Sequence, residues 1–154
     1  MSGLAGFGTA DQGAAYVGID GTAISGNDRS AIQVDRTLVT ATSGNVAASA
    51  AVATLGAVSG QTNVCTAVSF TYQGATAATV VSGVLSGGSD VVGGTRCFPI
   101  AVPAGASIIA QPIVIEFSPP VVAAAANATI TWTVPSLGAG NTTAAATING
   151  YRVF

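Results

Sequence analysis

The chain has 154 residues, a formal net charge of −2 and only 6% charged side chains, while 49% of its residues are hydrophobic. That length suits one domain with its own core. Four basic side chains, all arginine, cannot neutralise a useful number of phosphates, so the composition excludes a nucleic-acid-binding protein and argues against docking on anionic lipid.

The apolar excess does not predict a membrane protein. Gly, Ser, Thr, Asn or Pro interrupts the apolar runs well before the ~20 residues that a spanning helix needs. The first residues, MSGLAGFGTADQ, carry no basic region and no continuous apolar stretch. We therefore expect no secretory signal, and synthesis in a cytoplasm.

The charges are concentrated near the N-terminus. Residues 1–36 contain Asp11, Asp20, Asp28, Arg29, Asp35 and Arg36, and only Asp90, Arg96, Glu116 and Arg152 follow. Residues 1–27 are also rich in glycine and lack periodicity. We predict an extended N-terminal arm over residues 1–45, ordered against a partner, and a nearly uncharged body over residues 46–154.

Two pairs of opposite charges lie in the predicted arm, Asp28-Arg29 and Asp35-Arg36. They fit two interpretations. Either they lie on a solvated strand edge, or the arm uses them to pair with opposite charges on another subunit.

Alternation of β-branched residues predicts the first strands of the body. The stretch AIQVDRTLVT favours a strand over residues 31–40. Residues 45–54, NVAASAAVAT, fit either one short helix that stops at Gly56 or an Ala/Val strand, and a candidate strand covers 51–58. The stretch VCTAVSFTY then predicts a strand over residues 64–72.

The rest of the chain repeats this pattern between turn signals. Candidate strands cover residues 78–86, 95–102, 113–117, 128–134 and 145–154. Gly- and Pro-rich turns separate them, among them SGGSD at 86–90, SPP at 118–120 and LGAGN at 137–141. About eight short strands with such turns predict an all-β antiparallel β-sandwich, of which a jelly roll fits best.

The inward positions of these strands define a predicted core. Its members are Phe70, Ile115, Phe117, Ile130, Trp132 and Val134. In ATITWTV the apolar residues point to one face and the threonines to the other, which favours core packing of Trp132 over a sugar-binding position. Tyr151 has no such clean alternation, so a ligand-binding module stays an alternative.

Two cysteines, Cys65 and Cys97, leave two alternatives open. They are buried thiols, or they form a disulfide after cell lysis, since a reducing cytoplasm opposes one at synthesis. A metal site is not expected, because the chain has no His and no CxxC motif.

The chain lacks the side chains that most catalysis uses. It has no His and no Lys, and no two carboxylates of the body are close in sequence. The GGSD and GAGN segments lack the lysine and the spacing of phosphate loops, so hairpin turns are the better interpretation. We expect no enzymatic activity, no cofactor and no catalytic residue.

Low charge is itself the strongest functional signal. Charge keeps a free protein soluble and monomeric, and charged residues protect strand edges from pairing. A chain that lacks them is suited to a durable assembly in which its surfaces are covered. We expect a homo-oligomer with a protein partner, and neither a nucleic acid nor a membrane as partner.

Residues 99–154 carry a recognisable pattern. Its elements are Pro103-Ala104-Gly105, Phe117, Pro119-Pro120, Ala126-Asn127, Pro135, Gly138-Ala139-Gly140-Asn141-Thr142 and Gly150-Tyr151. The pattern resembles small structural proteins encoded by tailed bacteriophages. The resemblance covers residues 50–148 and is strongest over 99–152.

The resemblance implies a virion component with a compact β-sandwich, a capsid decoration (cement) protein on the capsid surface. Such proteins commonly bind as trimers at three-fold points of the shell, with an N-terminal arm on neighbouring subunits. It implies the major capsid protein as partner and a homotrimer. If the charge pairs of the arm bind another subunit, Asp28, Arg29, Asp35 and Arg36 are its candidate capsid contacts.

Two alternatives come from other classes of protein. One is a tail or head-fibre module that binds a host glycan, in which Tyr72, Trp132 or Tyr151 should be exposed. The other is a self-assembling shell or filament subunit, which should assemble without a partner.

Overall fold

The computed structural model describes residues 36–89 and 95–154, and the boundary between the two units of the chain falls between Arg36 and Thr37. The described residues form eight β-strands and no helix. The strands are β1 (Thr37–Thr42), β2 (Ala51–Leu55), β3 (Thr62–Tyr72), β4 (Thr79–Ser86), β5 (Thr95–Val102), β6 (Ile113–Val122), β7 (Ile130–Val134) and β8 (Ala144–Val153).

The strands form two four-stranded sheets. Sheet I has the order β1-β8-β3-β6 and sheet II the order β2-β7-β4-β5. Every pair of neighbours is antiparallel. The predicted all-β antiparallel sandwich of about eight strands is confirmed at this level.

The connections gather at two ends of the sandwich. At the apical end, backbone hydrogen bonds join Ala48 to Asn141, Gly74 to Ile108 and Thr76 to Ala139. At the basal end they join Ala124 to Gly87 and Asn127 to Gln61. β1 begins at the basal end, because Thr37 pairs with Arg152 near the end of β8.

The core lies between the sheets and follows the period-two pattern of the strands. Of the predicted core residues, Phe70, Ile130, Trp132 and Val134 are fully buried and Phe117 is 9% exposed. Ile115 is half-buried and packs against the core. Ile130, Trp132 and Val134 alternate with outward threonines along β7, as the sequence predicts.

Trp132 connects the two sheets across this core. Its indole N–H donates to the backbone carbonyl of Ser69 in sheet I at 3.3 Å. Phe98 packs edge-on against the indole, with ring centroids 5.8 Å apart. On β4 the residue opposite the ring is Gly83, where any Cβ would overlap the indole. Glycine at this position therefore makes room for the largest side chain of the core.

Of the two interpretations left open for residues 45–54, the strand is confirmed over Ala51–Leu55, and the residues before it are irregular and form no helix. One sequence prediction is wrong in detail. The prolines at 119 and 120 do not end their strand, because β6 continues to Val122. The β3–β6 ladder instead skips from Cys65↔Val121 to Ala67↔Glu116, which leaves the prolines in an interruption of an edge strand.

The first strand lies inside the range predicted as an arm. β1 pairs with β8 over its whole length, from Thr37↔Arg152 to Thr42↔Thr147. Of the strand predicted over 31–40, residues 31–35 lie outside the described residues, as do residues 1–30 of the predicted arm.

Gly150 in β8 lies where the backbones of β3 and β8 approach each other closely. A Cβ at this position would overlap the carbonyl of Val64. We expect Gly150→Ala to lower the free energy of unfolding by about 2–3 kcal/mol, because the backbones must separate. Gly56→Ala is the matched control, with nothing within 4 Å of its Cβ. Urea denaturation of both variants measures the difference, and equal stabilities would contradict the close approach.

Candidate interaction surfaces

The charged side chains of the described residues are Arg36, Arg96, Glu116 and Arg152. The guanidinium of Arg96 lies over the Phe117 ring, 5.6 Å from its centroid, which is a cation–π distance. Glu116 is exposed on β6, and Arg36 is exposed just before β1. Asp28, Arg29 and Asp35 of the predicted arm lie outside the described residues.

Arg152 completes a polar network at the basal end. The buried Asn63 side chain donates to the carbonyls of Leu55, Gly56 and Ala128 at 3.2, 3.0 and 2.8 Å. Its oxygen accepts from Arg152 Nε at 3.1 Å, and Arg152 Nη2 donates to the Gly56 carbonyl. The network ties β2, β3, β8 and the β6–β7 connection together, so this arginine serves the fold.

The described residues contain no group of three His, Cys, Asp or Glu side chains that could hold a metal ion. Within the same residues, no helix has the length and apolarity needed to cross a membrane.

The two cysteines lie in different sheets and both are free thiols. Cys65 is buried in β3, and the loss of water around its thiolate raises the pKa of the thiol from 9.0 to about 12. Cys97 is exposed on β5. The structure therefore holds no Cys65–Cys97 disulfide, and of the two expected buried thiols only Cys65 is buried.

The aromatic residues considered for sugar binding are mostly enclosed. Trp132 is fully buried and Tyr72 is 7% exposed. The Tyr72 hydroxyl donates to the Ala101 carbonyl at 2.7 Å, its ring stacks on Phe70, and burial raises the pKa of its hydroxyl. Tyr151 alone of the three is half-buried, on the outer side of sheet I.

The glycine-rich elements of the C-terminal pattern meet at the apical end. The 103–105 segment pairs with the β3–β4 connection, where Gly105 N–H donates to the Ala75 carbonyl at 2.7 Å. Asn141 is 3% exposed, and its amide donates to the carbonyls of Gln73 and Thr143 at 2.7 and 3.1 Å. These contacts join three connections that are far apart in sequence.

Other residues of the pattern have equally structural positions. Asn127 adopts a positive φ of 62° in the β6–β7 connection, and its side-chain oxygen accepts from Gly60 N–H. Phe117 closes the basal part of the core, and Gly150 allows β3 to approach. The pattern therefore describes how the sandwich closes at its ends, and it gathers no reactive side chains.

The outer face of sheet II carries no charged side chain. Its outward positions alternate with core residues along all four strands. They are Val52, Thr54, Val80, Ser82, Val84, Ser86, Thr95, Cys97, Pro99, Ala101, Thr131 and Thr133. Val80 and Val52 are 68% and 45% exposed, so this face presents methyl groups as well as hydroxyls to its surroundings.

Three hydroxyls of this face, those of Thr54, Ser86 and Thr131, bond within the sheet. Thr54 and Thr131 Oγ1 atoms are 3.1 Å apart across the β2–β7 pair, and Ser86 Oγ donates to the Thr131 carbonyl. Covering these hydroxyls costs less than covering unpaired ones, because part of their bonding is already made.

The outer face of sheet I differs from that of sheet II in carrying a charged side chain. It is also built largely of Thr, Ser, Asn and Ala, with Val114 62% exposed on β6. It includes, however, the carboxylate of Glu116 beside Ala67. Leu38 at its opposite edge is 84% exposed.

The sequence pattern indicated the threonine rows of β7 but not the whole uncharged face, because the face depends on which strands are neighbours. Asn63 was also missed, since a single Asn in an apolar strand gives no signal of burial. The structural role of Asn141 could have been predicted from its place in the GAGN turn.

Comparison with known proteins adds no assignment. No protein-family model matches the chain, and no curated protein matches it significantly.

The exposure of the two thiols predicts their reactivity. In native protein without denaturant, we expect a maleimide to label Cys97 only, and Cys65 to react after unfolding. Intact mass spectrometry counts the labels. Cys97→Ser should abolish native labelling, while Cys65→Ala should keep it. A Cys65–Cys97 peptide recovered by proteolysis without reduction would contradict two free thiols.

Proposed function

We propose that the chain is a non-enzymatic virion structural protein, a capsid decoration (cement) protein that binds the outer surface of the major capsid shell and stabilises it. The observation that carries the proposal is the uncharged outer face of sheet II, together with the nearly uncharged face of sheet I. A free protein relies on surface charge for solubility, so surfaces of this kind suit a permanent assembly.

The resemblance over residues 99–154 supports the same proposal. It points to tailed-phage structural proteins, and the residues that carry it bond the ends of the sandwich. No catalytic residue, cofactor or metal is part of the proposal.

We propose further that the sandwich is a jelly roll. The strand orders β1-β8-β3-β6 and β2-β7-β4-β5 support this. The pairs β1–β8, β2–β7, β3–β6 and β4–β5 are those of one long antiparallel ribbon folded over on itself, which gives an eight-stranded jelly roll.

The N-terminal residues are proposed as the arm that binds the capsid. The eight strands of the described residues all begin after Arg36. β1, the first strand after these residues, starts at the basal end. We propose that it lies across the major capsid protein and joins adjacent capsomers, with Asp28, Arg29, Asp35 and Arg36 as contacts.

The proposed assembly is a homotrimer on the capsid surface, made in the host cytoplasm, without nucleic acid or membrane partners. Several arms of one oligomer would bind the capsid at the same time. Because release of one arm leaves the others bound, this avidity makes release of the oligomer slow. Burial of apolar surface, at about 25 cal/mol per Å², would drive the contact.

The glycan-binding alternative is less well supported, because Trp132 and Tyr72 are buried. A self-assembling shell or filament subunit is supported by the same uncharged faces as the decoration protein. It differs in needing no capsid for assembly.

Deletion of residues 1–36 tests the proposal. We expect the truncated chain to keep its β-sheet circular dichroism, and to lose binding to purified capsids in a co-sedimentation assay, because the arm supplies the contact. The double variant Asp28→Asn, Asp35→Asn keeps the arm but removes two of its carboxylates. Its capsid binding, compared with that of the deletion, measures how much of the binding depends on these charges. Unchanged capsid occupancy after the deletion would contradict the arm.

A further inference from the structure

We propose that the outer face of sheet II is the surface through which the body binds a second copy of this chain. This inference goes beyond the proposed homotrimer, because a two-fold contact through this face closes at two copies and is separate from the contact that builds a trimer. The observations are the absence of charge on the face, its internal hydrogen bonds, its size and the nature of its edges.

Absence of charge selects the occupant. A partner with charged groups would have to desolvate them against this face without gaining an opposite charge. The same face of an identical copy carries no charged side chain among the described residues, and a two-fold axis brings the uncharged rows of both copies together. The methyl groups of Val80 and Val52 supply the apolar contact.

The hydrogen bonds of the face keep the cost of covering it low. The Thr54 and Thr131 hydroxyls bond to each other, and Ser86 bonds to the Thr131 carbonyl. A second copy does not have to supply partners for these groups. A face-to-face contact of two such sheets therefore needs no new polar bonds for these three hydroxyls.

The edges of sheet II favour contact through the face. β5 is an edge strand and carries Pro99, which has no N–H to offer another strand. The opposite edge, β2, has only five residues. One edge is therefore interrupted at Pro99 and the other is short, which favours association through the broad surface of the sheet.

The area of the face determines how strongly two copies are expected to bind. Four strands about 4.8 Å apart and about six residues long, at about 3.3 Å per residue, cover roughly 400 Å² in flat projection. A stable dimer buries about 800 Å² per partner. The face alone therefore predicts a weak, reversible dimer, which becomes lasting where a surface holds several copies close together.

The test uses the full-length chain without capsids. Sedimentation equilibrium over a series of protein concentrations should show reversible self-association of the wild type. We expect Val80→Lys to weaken it at least about tenfold, because a two-fold contact buries two uncompensated ammonium groups. Val114→Lys, at a similarly exposed valine on the outer face of sheet I, should leave it unchanged.

A second readout does not depend on a folded variant. Cys97 lies on the same face, paired with Val84, and its labelling by a maleimide should slow as protein concentration rises. Ser82→Lys, at an exposed polar position of this face, replaces Val80→Lys if that variant fails to fold.

Three results would overturn the assignment. They are a monomer at all concentrations, equal weakening by Val80→Lys and Val114→Lys, and loss of capsid binding in Val80→Lys with self-association intact. The last would assign the face to the capsid. Loss of self-association with capsid binding unchanged would support the inference and leave the decoration proposal standing separately.

Discussion

The contact between Trp132 and the opposite sheet organises the sandwich. Half of the buried hydrophobic residues are Ala or Val, whose small side chains leave space between the sheets, and the indole crosses this space to reach the Ser69 carbonyl. Gly83 leaves room for the ring, and Phe98 supports its edge. Because the interior is filled from β7, the threonines of that strand are directed outward. The same alternation that builds the core therefore produces the uncharged surface.

That surface connects the fold to the proposed role. Asn63 and Arg152 bond the basal end, and Asn141 bonds the apical end, so these polar groups are used inside the sandwich. What remains outside on sheet II is hydroxyl and methyl. Such a surface has little to offer a charged small molecule, and it suits a neighbouring protein surface of the same kind. A virion, in which copies stay in place once bound, is the setting that these properties favour.

Much of the fold could be predicted from the sequence, for a definite reason. Alternation of β-branched residues is local, so all eight strands had a counterpart in the pattern, and β7 was correct to within two residues. The extension of β6 past Pro119 and Pro120 was not predictable, because it depends on an interrupted ladder with β3. β1 belongs to sheet I because it pairs with β8. The charged residues that precede β1 in the sequence do not indicate this pairing. The uncharged face of sheet II was likewise hidden until the strand order was known.

The measurement that tests the central claim most directly is the location of this chain on purified virions, by cryo-electron microscopy at a resolution that separates β-strands. The account predicts copies of the eight-stranded sandwich at regular positions over the outside of the head, with connected density from Thr37 onto the major capsid protein. Density for the sandwich only at the tail tip or on fibres, or its absence from the particle, would contradict the account.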